Sequence, residues 1–305
     1  MGPTAAGKTA AAVDLVENFP FEIISVDSAL VYRGLNIGTA RPDRQTLARA
    51  PHRLIDIVEP NESYSAGRFA RDAAEAVREI RAAGRVPLFA GGTLLYFRAY
   101  AEGLASMPRA SARIREEIDA TAVADGWPAL HRELASVDPV AAGRIHPNDA
   151  QRIQRALEVY RQTGTPISDL QQQRRVPGAA ETFYRVAWCP SRSNLYQNCE
   201  TRLNHMIKQD FISEVRDLFE RGDLHPQLPA VRAVGYRQFW QHLQGECSRD
   251  EAGRRALVAT RRLAKRQLTW LRAEPGVVWI DPNGEAARQQ LHRLARRVVR
   301  AARYA

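Results

Sequence analysis

The sequence predicts an α/β fold, a parallel sheet of the phosphate-loop NTPase type covered by helices and interrupted by an all-helical insertion. Three observations carry this expectation. Residues 2–9 read Gly-Pro-Thr-Ala-Ala-Gly-Lys-Thr, a complete G-x-x-x-x-G-K-[ST] loop. Short apolar runs then alternate with helical periodicity through the first third of the chain, the pattern of a parallel sheet covered on both faces. From residue 105 to 181 the strand signal fades and only helical patterns remain.

The loop names a ligand class, a diphosphate or triphosphate with a divalent metal. Its glycines let the backbone curl so that its N–H groups point inward at phosphate oxygens. Lys8 adds a point charge, and the Thr9 hydroxyl can reach Mg²⁺. The helix expected from Ala10 to Asn18 aims its positive end at the same anion. Such a loop normally hangs from a buried strand, and only Met1 precedes it here. The expectation is that the strand is encoded upstream and that this start is truncated or misplaced.

The remaining elements follow in order. Glu22–Asp27 reads as a strand, and His52–Val58 as a second. Ala66–Ala83 is helical, with Ala70, Ala73, Ala74, Val77 and Ile80 on one stripe and Gly84 closing its end. Val86–Ala90 is a buried type of strand running into Gly91-Gly92-Thr93. In the insertion, helices are expected over 110–124, 128–136, 139–143 and 149–164, with Asn148 or Asp149 as N-cap and Gly164 as C-cap. Phe183–Trp188 resumes the sheet. One amphipathic helix is expected over 195–221, further helices over 234–244 and 250–273, a short strand at Val277–Ile280 and a basic closing helix over 285–303. The expected domains are therefore 1–104 with 182–305, and 105–181.

Composition narrows the function. The net charge is +10 over 305 residues, the electrostatic footprint of a polyanion binder. The three cysteines form no C-x-x-C pair, which argues against zinc and against a disulfide framework. No apolar run is long enough to span a bilayer, and no secretory leader is visible. A cytoplasmic protein without membrane contact is expected.

Ligands of such sheets bind at the carboxyl ends of the strands, where Asp27, Gly92 and Thr93 fall. Asp27 has three readings: a water-mediated Mg²⁺ ligand, a general base toward a bound nucleophile, or a cap of the next segment. The long loop that follows favours the base. Gly91-Gly92 is a plain tight turn or a place where a ligand approaches the backbone. Residues 254–272 hold seven Lys or Arg and no acid, with Trp270 among them. Basic residues interleaved with an aromatic suit a phosphate backbone with a stacked base; the alternative is a solvated helix face.

Several segments together resemble the tRNA dimethylallyltransferases, which place a five-carbon isoprenoid on an adenosine beside the anticodon. They are GPTAAGKT from Gly2, ISVDSALVYRGLNIGTARP from Ile24, HRLIDIVEPNESYSAGRF from His52, GGTLLY from Gly91, HPNDAQRIQRALEVY from His146, RAVGYRQFW from Arg232 and TRRLAKRQLTWLR from Thr260. They occur in the family order over nearly the whole chain. The resemblance implies that the loop (Gly2, Pro3, Thr4, Ala5, Ala6, Gly7, Lys8, Thr9) binds dimethylallyl diphosphate rather than ATP. It implies that the adenosine amine attacks the allylic carbon, that Asp27 is the base, and that Arg202 contacts diphosphate. Mg²⁺ near Thr9 is the implied cofactor. The implied tRNA-contacting residues are Asp27, Ser28, Ala29 and Leu30, then Thr93 and Arg115, then Gln151, Arg152 and Arg155. Arg232, Gly235, Tyr236, Arg237, Lys265, Arg266, Trp270 and Arg272 complete that set. The insertion would grip the anticodon stem, and the target base must leave its stack. A monomer is expected. The chain departs from the family in the strand before Gly2 and in Arg41, where lysine is usual. It also lacks a zinc-finger Cys/His set, which places it with the bacterial enzymes.

The competing expectation is a kinase of the phosphate-loop class, using the same loop for ATP and Asp27 as base for a hydroxyl. It leaves the basic carboxyl-terminal half unexplained. A third is a non-catalytic RNA-binding module on a degraded loop.

Overall fold

Phe21–Val26 (β1) is buried at every position and forms the centre of a parallel three-stranded sheet. The computed structural model describes residues 1–105, 107–172 and 182–302. β1 follows helix α1 (Lys8–Asn18) and pairs on one side with β3 (Val86–Gly91), on the other with the two-residue β2 (His52–Arg53). The helices between them are α2 (Arg44–Arg49) and α3 (Ala66–Ala82). A second parallel pair joins β4 (Arg185–Trp188) to β5 (Val277–Ile280). After β3 comes α4 (Leu94–Ala101). The later helices of this unit are α10 (Arg192–Lys208), α11 (Phe211–Glu220), α12 (Tyr236–Leu243), α13 (Arg249–Ala273) and α14 (Ala287–Ala302). The architecture is the expected parallel sheet covered by helices.

Met1 and Gly2 occupy the ground between the two sheets. The Met1 amine donates to Val186 O (2.8 Å), and Trp188 N donates to Met1 O (2.9 Å). A Cβ on Gly2 would lie 2.4 Å from Trp188 O, and one on Gly92 would lie 3.1 Å from Gly2 O. The chain therefore enters the phosphate loop alongside β4 and beside the end of β3.

Two expected elements are corrected. The apolar run His52–Val58 yields strand only at His52–Arg53, because Leu54 and Asp56 take left-handed φ values of 62° and 53° that break the ladder. Pairing resumes at one bridge, Tyr32 with Val58. The single helix expected over 195–221 is two, α10 and α11. Asp210 at φ 65° turns the chain between them, so periodicity alone hid the break. Gly84 behaves as expected. At φ 70° it closes α3, with Gly84 N donating to Arg81 O and Arg85 N to Ile80 O, the paired bonds of a Schellman end.

The chain divides into two compact units, residues 1–101 with 181–305, and residues 102–180. The second holds α5 (Ala112–Asp125), α6 (Trp127–Val137), α7 (Pro139–Ala142), α8 (Ala150–Thr163) and α9 (Ile167–Gln172). The last of these was not expected from the sequence. Ile114, Ile118, Leu130, Leu134, Ile153 and Leu157 form its core. Asp149 caps α8 through Arg152 N (3.2 Å), and Gly164 ends it at φ 68°, both as expected. Inside this unit Glu158 is fully buried. It accepts from Arg115 Nε (2.9 Å), Arg155 Nη1 (2.6 Å) and Ser111 N (2.8 Å). Burial would raise its carboxyl; the hydrogen bonds from Arg115, Arg155 and Ser111 outweigh that and hold it below the usual carboxylate range. Among the described residues no helix is long and apolar enough to cross a membrane.

Because its folded-state pKa is depressed, Glu158 stabilises the helical unit above the usual carboxylate range, and that contribution is lost as pH falls through the folded value. Glu158→Gln should cost about 2 kcal/mol at neutral pH, tempered because both arginines can reach water. Urea unfolding should show the difference between wild type and variant shrinking between pH ~5 and ~3.

Candidate active site

The phosphate loop is shaped by two left-handed residues, Ala5 (φ 62°) and Gly7 (φ 79°). Gly7 costs little there, whereas Ala5 carries the strain of a side chain in that region. Three side chains outside the loop hold it in this form. Gln267 on α13 accepts from Thr4 N (2.7 Å). Arg202 on α10 donates to Thr4 Oγ1 (2.6 Å), and Asn198 donates to Ala5 O (3.2 Å). Lys8 folds back to donate from Nζ to Pro3 O (2.6 Å).

Asp27 follows the last residue of β1. Its Oδ1 accepts from Ala29 N (2.8 Å) and, at longer range, from Leu30 N (3.4 Å). The capping reading is therefore present in the structure, but it uses one oxygen. Oδ2 makes no hydrogen bond among the described residues. Thr93, after β3, accepts from Ser28 N at Oγ1 (3.0 Å) and so ties the two strand ends together. Burial lowers the Lys8 pKa to about 8; Asp27 opposes this and Arg202 adds to it. Burial also lowers the pKa of Arg202, again opposed by Asp27. The carboxylate thus sits in the field of two desolvated cations.

One pocket gathers these groups. Thr4, Lys8, Thr9, Asp27 and Arg202 line it, together with Leu30, Leu203, Met206 and Phe211. The wall between Gly38 and Pro42 is fixed from outside by Glu214 on α11. Its carboxylate accepts from Asn36 N (3.0 Å), Ile37 N (2.7 Å), Gly38 N (3.1 Å) and the Tyr236 hydroxyl (2.6 Å). A Cβ on Gly38 would meet the Phe211 ring at 2.2 Å, so only glycine fits. Arg41 braces the same loop, donating to Asn36 Oδ1 (2.9 Å) and pairing with Asp56. A lysine there could not make both contacts in this planar fashion.

The family model for IPP transferases matches residues 30–274. The chain belongs to the IPP transferase family. A tRNA dimethylallyltransferase of Alkalilimnicola ehrlichii is 54% identical over 95% of this chain and 92% of the relative. One of Thioalkalivibrio sulfidiphilus is 52% identical over 96% and 93%. The crystal structure of a full-length tRNA isopentenylpyrophosphate transferase from Bacillus halodurans is 34% identical, with a TM-score of 0.71 over 99% of this chain and 96% of that one. A eukaryotic dimethylallyltransferase, solved acting on tRNA, shares the fold at 24% identity, with a TM-score of 0.76 over 92% of this chain and 72% of its own.

Within this family member the expected site residues separate into three places. Thr4, Lys8 and Thr9 of the loop, with Asp27, Ala29, Leu30 and Arg202, converge on the pocket, while Gly2, Pro3, Ala5, Ala6 and Gly7 do not line it; Ser28 and Thr93 join the neighbouring strand ends. Gly235 and Tyr236 also line it, but Tyr236 is fully buried with its hydroxyl on Glu214, so it shapes the cavity and not a macromolecular surface. Arg232, Arg237, Lys265, Arg266, Trp270 and Arg272 are exposed. Trp270 lies under the Arg98 guanidinium, 4.9 Å from its centroid. Arg115 and Arg155 are drawn onto Glu158, while Gln151 and Arg152 lie exposed on the first turn of α8. Sequence reasoning missed Gln267, Asn198, Glu158 and Glu214. Gln267 lay inside a quoted motif, yet a neutral amide among cations carries no charge signal of its own.

The protonated Lys8 is the form that attracts an anion, so affinity for inorganic diphosphate should fall as pH rises through about 8. Calorimetric titrations from pH ~6.5 to ~9.5 should show that slope, and Lys8→Met should remove the part that exceeds the ligand's own titration.

Proposed function

We propose that this protein transfers a dimethylallyl group from dimethylallyl diphosphate to the exocyclic amine of an adenosine beside the anticodon of tRNA, releasing diphosphate. The observation that carries the reading is that phosphate-binding groups, a carboxylate and an apolar wall line one pocket. A diphosphate bearing a short hydrocarbon chain needs both the cationic and the apolar part. The likeness to relatives named tRNA dimethylallyltransferase supports the same reading.

The allylic C–O bond breaks and a C–N bond forms, and diphosphate leaves with the electron pair. Negative charge grows on the leaving group, where the loop N–H groups, Lys8 and Arg202 supply the donors that stabilise it. An adenine amine is a weak nucleophile, so it must shed a proton as it attacks. Asp27 Oδ2 receives that proton, while Oδ1 stays anchored to Ala29 N and fixes the carboxylate plane. Thr9 follows Lys8 at the start of α1 and lines the pocket. Among the described residues no cluster of His, Cys, Asp or Glu could hold a metal by itself. The Thr9 hydroxyl would suit Mg²⁺, which keeps waters and binds through substrate phosphates with few protein ligands. Mg²⁺ bound there supplies further charge neutralisation on the leaving diphosphate. The exposed cations Arg232, Arg237, Lys265, Arg266 and Arg272 suit the RNA backbone. The protein works as a monomer in the cytoplasm.

Asp27→Asn keeps an acceptor for Ala29 N and removes the base. It should cut turnover by about 10²–10⁴-fold while leaving tRNA affinity within about threefold. Transfer is read as mass gain on adenosine and as diphosphate released without ATP. ADP formation from ATP, or unchanged turnover in the variant, would overturn the proposal.

A further inference from the structure

We propose that Gln267 is a positioning residue: its amide sets the phosphate loop in register with the Gly92–Thr93 edge and with the RNA-facing helix α13, so that donor and adenosine meet at reacting distance. The proposal deepens the prenyl-transfer reading and rests on it.

The geometry is a two-sided bridge. Gln267 Oε1 accepts from Thr4 N (2.7 Å), and Nε2 donates to Gly92 O (2.9 Å). Only a carboxamide offers an acceptor and a donor side by side at one length. Three chain segments meet here with no spare volume. A Cβ on Gly92 would lie 2.4 Å from Gln267 Nε2 and 3.1 Å from Gly2 O. Gly92 leads straight into Thr93, whose Oγ1 accepts from Ser28 N, and Ser28 adjoins the Asp27 carboxylate. A short bonded path therefore joins the loop that holds the leaving group to the residue that takes the proton. The inner face of α13 is pinned by the buried Ala264, Leu268 and Leu271, so the amide has a fixed origin. The same turns of α13 present Lys265, Arg266 and Trp270 outward. RNA seated on those residues is thereby located with respect to the loop.

An SN2-type or dissociative transfer depends steeply on this spacing, and a misplacement of about 1 Å costs on the order of 100-fold. Gln267→Met fills the same volume and makes neither bond. Gly92→Ala pushes on the bridge from its other end. In single-turnover assays at saturating tRNA and donor, each variant should slow transfer by about 30-fold, with tRNA affinity and its salt slope unchanged within about threefold. The double variant should be no slower than the slower single, because both changes break one bridge. A thermal melt on each variant, with rates normalised to folded protein, keeps a folding defect out of the comparison. The idea is overturned if Gln267→Met transfers at the wild-type rate or if the two losses multiply. It is equally overturned if the variant loses tRNA affinity but keeps its saturated rate, since Gln267 would then be an RNA contact. Failure of the wild-type protein to transfer at all would sink the underlying reading, and this one with it.

Discussion

The site depends on a backbone that would not hold its own shape. To turn main-chain N–H groups toward an anion, the phosphate loop places Ala5 and Gly7 in the left-handed region. Without an anion those N–H groups repel one another, and Ala5 adds steric strain. The structure answers with polar side chains from distant sequence. Arg202 and Asn198 come from α10, and Gln267 from α13. Helices α10 and α13 of the second half of the chain thus act as the outer support of a loop at its beginning. Preorganisation of this kind matters because an electrostatic site stabilises charge only to the extent that its dipoles are fixed before the charge appears.

The same packing sets the electrostatics. Burial weakens the hold of Lys8 and Arg202 on their protons, and the Asp27 carboxylate opposes that tendency in both. A dianionic or trianionic ligand entering beside Lys8 acts in the same direction and far more strongly. The cations are costly when the pocket is empty and settled when it is filled. Lys8 shows this directly, since it donates to the loop's own Pro3 carbonyl at 2.6 Å. A phosphate oxygen offers a better acceptor at the same place.

How much of this was legible in the chain follows from the range of each signal. The loop was readable as a compact local motif, and Asp27, Gly92 and Thr93 because each is a local pattern tied to a strand end. The sheet and most helices were readable from periodicity, and the caps at Asp149 and Gly164 from residue type. Left-handed turns at non-glycine residues were not: nothing at Leu54, Asp56 or Asp210 announces a positive φ, and tertiary contacts decide it. Hence one strand came out shorter and one helix came out as two. Tyr236, Arg115 and Arg155 were expected as tRNA contacts from the family resemblance. Arg155 meets Glu158 three positions on along α8, a local spacing whose burial the sequence did not reveal, whereas the partners of Tyr236 and Arg115, Glu214 and the buried Glu158, lie 22 and 43 positions away with no local pattern to connect them. Gln267 was hidden for the same reason, with partners 263 and 175 positions distant.

These long-range bonds have a common consequence for chemistry. The segment from Asp27 to Pro42 has little regular structure, and a free loop of that length would blur the position of its carboxylate. Here it is fixed at several points, among them Ser28 N on Thr93, the backbone pairing of Leu30–Arg33 with Asp56–Val58, Asn36 to Gly38 on Glu214, and Arg41 on Asn36 and Asp56. The Glu214 contact is the strongest of these in kind, because one carboxylate accepts from three consecutive amides and a buried phenol. Asp27 gains from this twice. The loop beyond it is held still, and its own Oδ1 is committed to Ala29 N, which leaves the carboxylate one orientation. A carboxylate so restrained loses little freedom when it takes a proton. Capping and the proposed base catalysis are therefore not rival roles at Asp27; the cap is what would make the base a directed one.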